Sequence, residues 1–200
     1  MMDALFGGLL GAIIGSAFPW WMNKQSMQSK ARYLAIRVVC LLDKYLEDCV
    51  SVVKDDGLCY GSRTEDGCLA PQVACPSTPN FPDDIDWKSI NYDLMYEILS
   101  FPSDIEAADG IIQHTWDFAA FPPDYEEGFE ERAFQYAKLG LKAYDLAKKL
   151  RDQYQIPARN YSDWDPVSEL KSDLEKIENR RKKHAESTQK LFSERKAANE

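Results

Sequence analysis

Glu126, Glu127, Glu130 and Glu131 form two carboxylate pairs one helical turn apart, a spacing that could hold a metal or divide acid and base duty. A di-iron bundle also needs Glu-x-x-His motifs on facing helices. Here Ile111 and Arg181 stand three residues before His114 and His184, so that site is not encoded. A solvated acidic helix start, complementing the helix dipole, accounts for the four glutamates more simply. Cys59, Cys68 and Cys75 could bind zinc with a fourth ligand, but spacings of nine and seven lack the close pair that nucleates such sites. His114, beside Ile111, Ile112, Trp116 and Asp117, reads as a hydrogen-bonded structural histidine. Serine elbows, phosphate-binding glycine loops and metalloprotease helices do not occur. The sequence therefore gives no catalytic residue, no cofactor site and no metal site, and no enzymatic activity is expected.

The charge distribution narrows the partners. The net charge is -9, and between Asp55 and Gln135 eighteen acidic residues face only Arg63, Lys88 and Arg132. Such a surface repels phosphate backbones, which excludes nucleic acid as a partner for that region. The run Arg180, Arg181, Lys182, Lys183 could meet anionic lipid or an acidic protein, yet Glu175 and Glu178 nearby make an exposed, balanced helix face the expectation. The five cysteines are odd in number and lack close pairs, so no complete disulfide framework is expected.

The elements that would position these residues begin with Ala4 to Met22, which is free of charge. As a helix it spans about 28 Å, close to the hydrocarbon thickness of a bilayer. Pro19 lies near its end, and Trp20, Trp21 and Lys24 suit the headgroup region as interfacial anchors. Asp3 before the apolar stretch, in place of a basic start, argues against a cleaved signal peptide. Lys24, Lys30, Arg32 and Arg37 follow the span, which keeps the rest of the chain in the cytoplasm and its cysteines reduced. With the opposite topology, two loop cysteines would pair. Gly7, Gly11 and Gly15 repeat every fourth residue and give the span a bare face for association between membrane helices.

Beyond the anchor, Ala35, Val38, Leu42, Tyr45, Cys49 and Val52 mark one stripe of a helix, widened by Val39, Leu46 and Val53, with Cys40 beside it as a further core candidate. Asp55, Asp56 and Gly57 close it, Gly57 in the left-handed conformation. Residues 58–86, with four prolines, read as a long irregular loop. A second helix is expected from Trp87, capped by Asp86 and kinked or interrupted at Pro102. Past Pro122 and Pro123 a third helix carries the stripe Phe129, Ala133, Tyr136, Gly140, Ala143, Ala147, Leu150, Tyr154. Asp165 and Pro166 open a fourth, apolar through Ile177 and polar at Arg181, His184 and Thr188, whose distal half would project or pair with another chain. The fold class is all-α: a membrane helix (1–23) running into an antiparallel bundle (24–162), then a charged C-terminal helix (163–200).

The segments Leu34–Leu58, Trp87–Pro102 and Pro122–Ala143 resemble an uncharacterised group of bacterial single-pass, membrane-anchored helical proteins. No activity is assigned to that group, so the resemblance implies a bacterial membrane protein and carries over no functional residue. The expectation is a tethered, self-associating interaction or scaffold protein of the bacterial inner membrane, its bundle facing the cytoplasm. Its partners would be the bilayer, further copies of itself and an unidentified protein. The alternative is a pore-forming or lysis-type protein acting through the glycine-rich span.

Overall fold

The computed structural model describes residues 2–84 and 86–197, with side chains described for 22, 24–84, 86–190 and 193. Four helices account for most of it: α1 (Met2–Val53), α2 (Tyr92–Phe118), α3 (Glu126–Tyr154) and α4 (Pro166–Ala197). There is no strand among the described residues. The core stripes follow the expected periodicity. Leu34, Val38, Leu42 and Cys49 of α1 are sealed, as are Ile98, Phe101 and Ile105 of α2. Tyr136, Ala143, Ala147 and Leu150 of α3 face them, so burial of these apolar rows drives the assembly.

Helix α3 lies at the centre, packed against each of the others. Against α1 it is antiparallel, with Arg132 meeting Asp55 and Arg151 meeting Asp43. Against α2 it is also antiparallel, with Lys142 on Asp104 and Tyr136 on Asp109. Against α4 the sense reverses once more: Arg181 meets Glu131, and Leu170 lies beside Gly140. At Gly140 a Cβ would stand 2.6 Å from Leu170 Cδ1 and 3.0 Å from Cys49 Cβ, so only glycine lets α1, α3 and α4 approach this closely.

Three expectations change. The second helix starts at Tyr92 and not at Trp87: Asp86 caps only a single 3₁₀ turn, Trp87–Ser89, while the Asn91 side chain accepts from the Asp93 and Leu94 amides and caps α2 itself. Pro102 does not interrupt α2. The proline removes one backbone hydrogen bond, but Ile98, Phe101 and Ile105 around it are buried against the core and hold the helix through that point. Cys40 is exposed, whereas Cys49 is buried, so only the second is a core residue.

Among the described residues no helix is long and apolar enough to cross a membrane. The expected anchor falls on side chains outside the described ones; its backbone forms the first part of α1, which continues without a break into the bundle. Lys24 is exposed.

Candidate functional site

The chemistry of the folded part concentrates where the irregular loop meets α1 and α3. The chain leaves α1 at Val53, and Gly57, at φ +74°, turns it back. A Cβ there would strike the Phe129 ring at 2.5 Å, so the turn is pressed onto the start of α3 and tolerates no side chain. Between them sits Asp55. Its carboxylate accepts from the Gly57 amide at 3.0 Å, from the Gln72 and Val73 amides at 2.9 Å, and from Arg132 Nη1 at 2.8 Å. Arg132 Nη2 also donates to the Val73 carbonyl. Both side chains are buried, and a buried charge persists only with such full pairing. Burial pushes the Asp55 pKa up, but the Val73 amide, Arg132 and the other amides outweigh it, and the carboxyl ends below its usual value. Loop, α1 and α3 are thus stapled through one ion pair.

A second buried pair closes the other end. Arg151 donates to Asp43 at 2.5 Å and to the Pro157 carbonyl at 3.3 Å, fixing the chain that leaves α3. The Tyr136 ring is buried, and its hydroxyl donates to the exposed Asp109 at 2.6 Å. Burial first, then that carboxylate, push the Tyr136 pKa far upward, and burial, helped by Cys49 and Asp109, does the same for Tyr45, so neither phenol ionises near neutrality.

The four candidate glutamates divide into two kinds. Glu126 and Glu127 are exposed in the first turn of α3. Glu130 and Glu131 instead grip α4: Arg180 reaches Glu130 at 3.1 Å, and Arg181 reaches Glu130 at 3.0 Å and Glu131 at 2.7 Å. The Arg181 guanidinium also lies 4.1 Å from the centroid of the Phe134 ring. The basic run is therefore not simply a solvated face. Its first two residues dock α4, and residues 182–190 are exposed beyond them. Two runs, four acids opening α3 and four bases midway along α4, were the signal for this pairing.

A cavity of about 580 Å³ opens between loop, α3 and α4, with Val53, Leu69, Phe129 and Ile177 as its floor. Its charged rim is largely spent on internal pairs: Asp124 with Arg63, Glu130 with Arg180, Asp173 with Lys54 and Lys176. Neither a histidine nor a cysteine lines it, and no group of three or more potential metal ligands occurs among the described residues. The cysteines Cys59, Cys68 and Cys75 carry free thiols, and Cys59 takes part in a small backbone bridge with Ser62. His114 stacks near Phe118, with ring centroids 4.8 Å apart. Gly7, Gly11, Gly15, Trp20 and Trp21 lie on the α1 backbone outside the described side chains.

The chain matches no protein-family profile, no curated protein and no solved structure.

Proposed function

We propose that this chain is a membrane-tethered helical interaction protein, self-associating through its N-terminal span and without catalytic activity. The observation that carries this reading is the continuity of α1. One helix joins the uncharged stretch Ala4–Met22 to the sealed core at Leu34, Val38 and Leu42, so a span inserted in a bilayer would hold the bundle at a fixed attitude to the surface. The basic residues after the span favour a cytoplasmic bundle, and Gly7, Gly11 and Gly15 favour contact between spans. Further support comes from the way the strongest polar groups are used. Asp55, Arg132, Asp43 and Arg151 are consumed in holding helices and loop together, which is the economy of a scaffold.

The test combines topology with assembly. Exposed Cys40, Cys59 and Cys75 are labelled with a membrane-impermeant thiol reagent in intact and opened cells, and the detergent-extracted complex is sized beside Gly11→Ile. Labelling only after opening, retention in membranes at alkaline pH and a smaller Gly11→Ile complex are expected. Release from membranes at alkaline pH would sink the tether, and dye leakage from vesicles carrying the protein would favour a pore.

A further inference from the structure

The cavity between the irregular loop, α3 and α4 has a floor and a rim of different chemistry. Its floor is apolar and comes from four parts of the chain: Val53 of α1, Leu69 of the loop, Phe129 and Ala133 of α3, and Ile177 of α4. Its volume, about 580 Å³, lies in the range of small-molecule sites. The loop wall is fixed by the backbone as well as by the Asp55–Arg132 pair, since the Leu69 amide donates to the Pro123 carbonyl at 2.9 Å and the Ala70 amide to the Gly57 carbonyl at 3.1 Å.

The charges around the rim select the ligand. Asp55 is balanced by Arg132, and Asp124 by Arg63. Glu130 and Glu131 share Arg180 and Arg181, while Asp173 and Glu169 share Lys54 and Lys176. Each of these cations is therefore matched by a carboxylate. Asp56 and Glu126 line the same cavity, both are exposed, and neither meets a cation among the described residues. Asp56 Oδ1 accepts from the Leu58 amide at 3.0 Å, and Glu126 stands in the first turn of α3, where the helix dipole offsets part of its charge. No positive group completes the balance. Two carboxylates in excess over an apolar floor repel an anion and gain nothing from a neutral molecule, whereas an ammonium on a compact apolar body answers both features.

We propose that this cavity binds a small organic cation, an amine carried on an aromatic or branched aliphatic body. The body covers Leu69, Phe129 and Ile177, and the ammonium faces Asp56 and Glu126. The site is independent of the tether, because none of its residues belongs to the N-terminal stretch.

The purified full chain in detergent is titrated calorimetrically with phenethylammonium and with isopentylammonium, detergent alone serving as blank. Phenethyl alcohol and hydrocinnamate are the neutral and anionic twins of the first probe. Saturable binding of at least one amine is expected, with half-saturation below about 1 mM and about tenfold or more tighter than either twin. Asp56→Asn with Glu126→Gln should weaken it about tenfold or more, to the level of the alcohol. The asparagine keeps an oxygen for the Leu58 amide and both positions are exposed, so the circular dichroism of this variant should be unchanged. Ala133→Leu fills the floor and should abolish binding; if that change unfolds the chain, the rim variant decides alone. Failure of both amines to saturate, equal affinity for the alcohol, or undiminished binding to the rim variant overturns the proposal.

Discussion

Asp55 and Arg132 stand 77 positions apart in sequence and meet at 2.8 Å, with only 1% and 4% of their side chains exposed. The contact joins three parts of the chain: the exit of α1, the prolyl loop and the first turns of α3. A buried pair gains little over an apolar one of equal shape, because desolvation offsets the Coulomb attraction. Here the carboxylate has a second task, since it also takes the amides of Gly57 and Val73, which are part-buried, and of the exposed Gln72.

Removing Arg132 leaves that carboxylate buried with its charge unbalanced. Arg132→Met is expected to lower stability by about 3–5 kcal/mol, read as a shifted urea midpoint, and to open residues 58–86 to protease. Replacing both partners, Asp55→Leu with Arg132→Leu, should not restore stability, because the part-buried amides of Gly57 and Val73 remain without an acceptor. A double variant as stable as the wild type would show that the loop is held by something else.

The pH dependence follows from the same group. The folded pKa of Asp55 lies below its ordinary value, so its contribution is fully present above the unfolded pKa of about 4 and is lost as pH falls through the lower folded value. Stability should drop more steeply below about pH 4 in the wild type than in Asp55→Asn, which carries no such proton linkage. Urea midpoints across pH 2.5 to 6 would check this, and parallel curves would deny Asp55 that role.

Much of the bundle was legible from periodicity, and the reason is physical. Leu34, Val38, Leu42 and Cys49, or Tyr136, Ala143, Ala147 and Leu150, are local repeats that one helix displays by itself. Pro166 after Asp165 likewise marks a helix start within two residues. What escaped was non-local or competitive. Nothing near Asp55 announces Arg132, and a lone arginine in an acidic stretch reads as solvated. Asp86 and Asn91 are both good caps, and the choice between them was made by Ile90, buried at 4%, which requires a bend before α2 begins.

Asn91 should repay testing, since it accepts from Asp93 at 2.8 Å and from Leu94 at 3.2 Å. Asn91→Ala is expected to cost about 1 kcal/mol, and Asn91→Ser much less, because the hydroxyl can replace the amide oxygen. Equal losses for the two would mean that Asn91 acts otherwise than as a cap.

Gly140 and Gly110 offer opposite outcomes from one kind of change. At Gly140 added atoms meet Leu170 and Cys49, and Gly140→Val should destabilise by about 1–3 kcal/mol through overpacking. Shortening the neighbour tests the cause: Leu170→Ala opens space, so the valine should cost less in that background, a coupling read from the four thermal or urea midpoints. Gly110 sits in open space on α2, and Gly110→Ala should raise stability by about 0.5–1 kcal/mol by restricting the unfolded chain. A gain at Gly140 or a loss at Gly110 would mean that the approach of α4 to α3, or the freedom of the outer side of α2, differs from the packing described.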